Sequence, residues 1–330
     1  MGGNAFREYS TPRLPTSLYE HLRSQTIDVL QPFYTSVGSP VPGPGKLDHG
    51  DIDIIVTGAI GSLPEREEGP SRERTSALLG AVTYMEIGPT ISYLVPLSPN
   101  EATVLPPGIS PLHQHQDHFF QIDIHATPTL STYNWLLFNH SHSDLFSLLG
   151  TAIRPFGLTI TDTAVFIRSA EIEAAGQGRR ARIFVTDSPR RCWEDVLGFP
   201  DWETYYSPQR WPTLEAMYAF ITQCRFFMFS EFEQGRSLNS GERQRMKSRP
   251  AYRGFVEEYV PELLRVEPDF GERGKGLTRE MVWQEVMEGF QGVKEEANRK
   301  LKLWREEEGR IRVNKERRAM NKMTADEEGR

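Results

Sequence analysis

Two aspartates one residue apart, Asp51 and Asp53, open the apolar run Asp51-Ile52-Asp53-Ile54-Ile55-Val56, which reads as a buried strand. Alternate residues of a strand face the same way, so the two carboxylates stand side by side while Ile52, Ile54 and Ile55 bury elsewhere. Adjacent anions repel unless a divalent cation neutralises them, and hard carboxylate oxygens select Mg²⁺ or Mn²⁺. Upstream, Gly38 and Ser39 could offer backbone N–H groups and a hydroxyl to a phosphate. A third carboxylate, Asp123, lies inside another apolar, alternating stretch, HFFQIDIHA, where an unpaired charge is costly. Three strand aspartates beside a Gly-Ser turn point to metal-dependent phosphoryl transfer.

Certain elements must position these groups. Leu18, Leu22, Ile27 and Leu30 recur at helical intervals after Thr16 or Ser17 as cap, predicting a leading amphipathic helix over 16–34. The Gly- and Pro-rich stretch VGSPVPGPGKLDHG (37–50) cannot be regular structure and feeds the Asp51 strand. AVTYMEI and ISYLVPL read as a hairpin turning at Gly88-Pro89, and residues 134–150 as a helix or helical pair. GLTIT, AVFIRS and ARIFVT form strands of a second small sheet, followed by a helix capped at Ser188. Beyond Tyr206 the pattern is helical, ending in one long charged helix from about 278 to 322.

Charge is uneven along the chain. Residues 1–205 carry 14 Lys+Arg against 23 Asp+Glu, whereas residues 206–330 carry 24 against 22. The near-neutral second half gives no strong nucleic-acid footprint. Cys192 and Cys224, the only cysteines, have neither zinc spacing nor a disulfide framework. No apolar run approaches a membrane span, so an intracellular, soluble protein, cytoplasmic or nuclear, is expected without a membrane partner.

In their order the motifs resemble the nucleotidyltransferase superfamily, and within it the polymerase β-like branch. Gly38-Ser39, Gly45-Lys46 and Gly50-Asp51-Ile52-Asp53-Ile54 match its Gly-Ser turn, basic loop and Gly-Asp-hydrophobic-Asp strand. Ile122-Asp123-Ile124 matches its third-aspartate strand, and Phe138, Ser141 and Asp144 match its aromatic turn. The likeness covers about residues 37–200, with departures: Pro40-Val41 stands where the family has two basic residues, His140 where it favours glycine, and Ser147 replaces a base-edge asparagine. With some 36 residues before the Gly-Ser turn, no counterpart is expected for the helix-hairpin-helix lobe that grips gapped DNA.

The resemblance implies an α+β fold with a mixed-sheet palm flanked by helices, a small α/β thumb and a helical C-terminal extension. The expected divisions are a leading helical segment (1–36), the palm (37–130), a thumb-like nucleotide-binding subdomain (131–205) and a helical domain (206–330) with a frayed tail. It further implies transfer of a nucleoside monophosphate from a nucleoside triphosphate to an acceptor hydroxyl with release of pyrophosphate. Asp51, Asp53 and Asp123 would be catalytic and bind Mg²⁺ or Mn²⁺; Gly38, Ser39, Lys46, Phe138, Ser141 and Asp144 would bind the nucleotide. Nucleic acid is one candidate acceptor. The alternative is an inactive scaffold of the same fold that acts through its C-terminal helices.

Four further features have plainer readings. Glu86 lacks the Ile-Asp-Ile surroundings of a third carboxylate. His113, His115, His118 and His125 suit solvated positions better than a cysteine-free zinc site. Arg236, Arg243, Arg245, Lys247, Arg249 and Arg253 either track acceptor phosphates or decorate an interhelical loop. Trp193, Trp202, Tyr205, Tyr206, Trp211 and Tyr218 read as core aromatics.

Overall fold

The computed structural model describes residues 3–60, 70–106, 118–267 and 276–328, with side chains to 318. Period-two alternation produces a five-stranded mixed sheet from β1 (Tyr34–Gly38), β2 (Asp51–Ala59), β3 (Thr83–Ile87), β4 (Thr90–Pro96) and β5 (Phe119–Thr127). The strands lie in the order β1-β2-β5-β4-β3, with β2 and β5 parallel and the remaining pairs antiparallel. The two aspartate-bearing strands are therefore central neighbours. The expected β3–β4 hairpin forms and turns at Gly88, whose φ of 61° suits glycine.

One sheet face buries Ile52, Ile54, Val56, Tyr93, Ile122 and Ile124 against Leu18, Leu22 and Leu30 of helix α1 (Thr16–Leu30). The helix is shorter than the span read from periodicity, because the chain tightens into a turn at Gln31–Phe33 around Pro32. It also starts after Pro15 without a side-chain cap, Thr16 instead donating to the Lys46 carbonyl. Helix α2 (Arg72–Leu79) is capped at its start by Ser71 and closed by Gly80 at φ 66°. The opposite sheet face holds Ile55 against Tyr133 and Leu136 of helix α3 (Leu130–His140).

The chain divides into two compact units with boundaries unlike those expected from sequence. The first comprises Met1–Ala152 and Asp187–Lys275; the second comprises Ile153–Thr186 and Gly276–Arg330. The segment read as a thumb is thus split between them.

In the first unit, Ser188 accepts a hydrogen bond from the Arg191 backbone as anticipated. Trp193, Tyr205, Trp211 and Tyr218 are buried core aromatics, whereas Tyr206 is exposed. Helical segments at Leu214–Thr222, Ser240–Ser248 and 250–266 follow.

The second unit contains the expected small antiparallel sheet, β6 (Leu158–Ile160), β7 (Val165–Arg168) and β8 (Arg182–Thr186), in the order β8-β7-β6. Buried Arg168 ties it together, donating to the carbonyls of Leu158 and Arg154 and to Glu173. The single charged helix read near the C-terminus is instead two, Arg279–Gly289 and Val293–Glu328. Gly292, at φ 82°, supplies the left-handed residue that breaks them. Among the described residues, no helix is long and apolar enough to cross a membrane.

Candidate active site

Asp53 and Asp123 are register partners across the parallel β2–β5 pair, and Asp51 is paired with Gln121. Neighbouring strands lie about 4.8 Å apart, and residues two apart share a face. Asp51, Asp53 and Asp123 consequently gather on one side of the sheet, the side on which α3 packs against Ile55. Ile52 and Ile54 point into the core, while the Asp53 side chain is exposed.

The electrostatics follow from this grouping. Crowding by protein pushes the Asp53 carboxyl up to about 7, and the negative charges of Asp51 and Asp123 push the same way, against His140 and Lys46. Burial also raises Asp123, opposed by the neighbouring Ser92 hydroxyl and the Gln121 amide, while Asp51 adds to the rise.

Two of the three carboxylates are held by neutral donors. The Gly3 N–H donates to Asp51 Oδ2 at 3.0 Å, and Gln121 Nε2 donates to Asp123 Oδ1 at 2.7 Å. Among the described residues, no group of three or more His, Cys, Asp or Glu side chains already has the arrangement of a metal cage. The donor chemistry nevertheless fits a hard divalent cation, which would relieve the like-charge repulsion on Asp53.

The Gly-Ser turn lies beside this group. Gly38 ends β1 opposite Ile55, and a Cβ there would stand 2.4 Å from the Tyr133 hydroxyl, so a larger residue would have to displace that side chain. The Ser39 hydroxyl is buried beside Tyr19, whose pKa is raised by burial and partly offset by Ser39. Exposed Lys46 follows Gly45, whose φ is 65°, and its charge acts on Asp53. Sequence reasoning passed over His49, which stacks on Tyr19 with centroids 3.7 Å apart. Burial, then Lys46 and Arg13, lowers its pKa to about 4.

The residues expected to bind the nucleotide, Phe138, Ser141 and Asp144, make contacts within the protein. Phe138 is fully buried among Trp135, Phe146, Trp193, Trp202 and Tyr205, and its carbonyl accepts from the Tyr205 hydroxyl at 2.8 Å. Ser141 Oγ donates to the Leu137 carbonyl at 2.6 Å and accepts from the Val41 N–H at 3.0 Å. Asp144 takes Arg249 at 2.7 Å and the Tyr252 N–H at 3.3 Å. The Pro40-Val41 loop is laced onto this turn through Ser141, while Asp144 is held by Arg249 and Tyr252. The lacing continues from the His142 N–H to the Val41 carbonyl at 2.7 Å. Here the chain passes through left-handed conformations at His142 and Ser143, with φ of 62° and 56°. His140, exposed at the end of α3, is the residue of this turn whose charge acts on Asp53.

Several of the other candidates have partners within the protein. Glu86, on the edge strand β3, is exposed and pairs with Arg72 at 2.8 Å. His118 hydrogen-bonds Ser10 and His125 hydrogen-bonds Thr90, while His113 and His115 lie outside the described residues. Within the basic run, Arg236 pairs with Glu242, Arg249 with Asp144 and Arg253 with Glu257. Arg243 donates to the Leu238 carbonyl, and Arg245 lies over the Tyr252 ring. Three of the six cations of the run are thus paired with acids. Set against known proteins, the chain matches no family model and no curated protein.

Proposed function

We propose that this protein is a metal-dependent nucleotidyltransferase with a polymerase β-like core, moving a nucleoside monophosphate onto an acceptor hydroxyl. The observation that carries the reading is the in-register pairing of Asp53 with Asp123 on parallel strands, with Asp51 two residues away on the same face. Asp51, Asp53 and Asp123 would hold Mg²⁺ or Mn²⁺. Bound there, the cation neutralises triphosphate charge and lowers the pKa of the acceptor hydroxyl.

The chain's own residues have separable tasks. Lys46 and the Ser39 turn take triphosphate oxygens, the first by charge and the second by hydrogen bonding. Asp123 uses one carboxyl oxygen to accept from Gln121 and keeps the other for the acceptor's proton. The acceptor oxygen forms its bond to the α-phosphorus as the bond to the pyrophosphate oxygen breaks, and pyrophosphate leaves. His140 and Lys46 favour the charged form of Asp53, the form that binds cation.

One observation favours a second reading, an inactive scaffold of the same design. Phe138, Ser141 and Asp144 are buried and bonded within the protein, so the side of the site that would grip sugar and base is occupied by its own structure. Purified protein with Mg²⁺ or Mn²⁺, each labelled ribo- and deoxyribonucleotide and a panel of DNA, RNA, protein and small-molecule acceptors separates the two. Label transfer that is lost in Asp51→Asn supports the enzyme; no transfer and no heat of nucleotide binding supports the scaffold.

A further inference from the structure

The segment preceding α1 is docked onto the carboxylate strands rather than hanging free. Phe6 is buried, Tyr9 packs edge-on against Phe119 at 5.4 Å, and the Ser10 carbonyl accepts from the Phe119 N–H at 2.9 Å. Thr11 Oγ1 donates to the Gly3 carbonyl at 3.1 Å. These anchors bring three backbone and side-chain donors to bear on the site. The Gly3 N–H reaches Asp51 Oδ2 at 3.0 Å. The Ala5 N–H donates to Gln121 Oε1 at 3.0 Å, and Gln121 Nε2 passes the connection on to Asp123 Oδ1 at 2.7 Å.

Two features make this arrangement specific. Gly3 has a φ of 76°, and a Cβ on it would stand 2.2 Å from the Gly50 carbonyl oxygen, so only glycine permits the approach. Gln121 is 3% exposed and is the register partner of Asp51, which places its amide between the docked segment and Asp123. A glutamine is the residue type that can accept at one end and donate at the other. All the donors are neutral, so the carboxylates are oriented without losing the negative charge a cation needs.

From this geometry we infer that residues 3–5 and Gln121 form a hydrogen-bonded clasp that aims Asp51 and Asp123 and so sets the divalent-cation affinity of the site, an inference that rests on the metal-site reading above. Gln121 is a positioning residue: it acts on the cation through Asp123. Groups that orient metal-ligating carboxylates typically change metal affinity by about 10- to 100-fold when removed. The clasp also makes the conformation of the preceding segment a regulator of the site, since displacing Gly3 releases Asp51.

The test is Mn²⁺ binding to the full chain, followed by electron paramagnetic resonance, for the native protein, Gly3→Ala, Gln121→Met, Gln121→Glu and Asp53→Asn. A core variant on the opposite sheet face, Ile52→Val, serves as a control for lost stability. The clasp predicts that Gly3→Ala and Gln121→Met bind Mn²⁺ about 10- to 100-fold more weakly, while Ile52→Val binds as the native chain does. Gln121→Glu keeps the acceptor for Ala5 but replaces the donor to Asp123 with a further negative charge; weaker Mn²⁺ binding there shows that the lost donor outweighs the added charge. Native binding that is lost in Asp53→Asn but unaltered by Gly3→Ala and Gln121→Met overturns the clasp and leaves the metal site standing. No Mn²⁺ binding by the native chain removes both.

Discussion

Asp53 and Asp123 stand opposite each other on adjacent parallel strands, although 70 positions separate them in the chain. Parallel neighbours in register keep like residues at like heights, so two acids at equivalent positions are forced into proximity. Their repulsion, with that of Asp51, is the structural cost of the site.

Relieving that repulsion should be visible without any substrate. In Asp53→Asn the metal-free protein is expected to melt at a higher temperature than the native chain at pH 8, and to gain nothing from added Mn²⁺. Differential scanning fluorimetry with and without the cation checks this; a lower melting temperature would show that Asp53 is not under like-charge strain.

The same group sets a pH dependence. With its folded-state pKa raised to about 7, Asp53 binds a proton that the unfolded chain gives up near the ordinary carboxylate range. Its contribution to the stability of the metal-free protein is therefore present at low pH and lost as pH rises through about 7. Cation binding must displace that proton, so Mn²⁺ affinity should fall as pH drops from 8 to 6. Calorimetric titrations at those pH values, in buffers of different ionisation enthalpy, would register the released proton.

His142 works in the opposite sense. It is buried with Nε2 on the Tyr205 carbonyl at 2.7 Å, and burial first, with Arg210 in support, lowers its pKa to about 4. The unfolded chain takes up a proton on this residue near pH 6.5, so its contribution is present above that and lost as pH falls towards about 4. His142→Asn, chosen because Asn tolerates the left-handed backbone, is expected to be less stable at pH 7 yet to lose less on acidification. Urea unfolding at pH 7 and 5 measures the difference in slope.

Gly38 and Tyr133 form a testable steric pair. Gly38→Ala places a methyl group 2.4 Å from the Tyr133 hydroxyl and should cost about 1–3 kcal/mol. Tyr133→Phe removes the obstructing oxygen and should restore most of that loss in the double variant. Additive effects in the cycle would mean that the two do not meet as described.

Asp144 should behave as a structural rather than a ligand-binding acid. Replacing it with Ala leaves the buried Tyr252 N–H without its acceptor and Arg249 without its partner, a loss of roughly 1–3 kcal/mol. Nucleotide affinity, measured by calorimetry below the variant's melting temperature, should be unchanged.

Local periodicity made much of this architecture readable. The Ile52, Ile54 and Val56 alternation, the Gly88 hairpin and the Ser188 cap depend on near neighbours, and the structure has each of them. The pairing of β2 with β5 in register could be suspected from two similar Ile-Asp-Ile patterns, but the strand order depends on long-range closure that no local signal encodes. Gly3 reaches Asp51 across 48 positions, and nothing in its own neighbourhood announces that contact. The Phe138-to-Asp144 turn is ambiguous for a related reason: residue types suited to a nucleotide are also suited to satisfying a buried turn. The Val41, Arg249 and Tyr252 contacts of this turn are long-range and have no local signal.

The most direct measurement is Mn²⁺ bound per chain in the presence of a nucleoside triphosphate, compared between the native protein and Asp53→Asn. The account predicts saturable binding by the native chain that tightens with nucleotide and disappears in the variant at unchanged circular dichroism. Equal binding by the two proteins, or none by either, would contradict it.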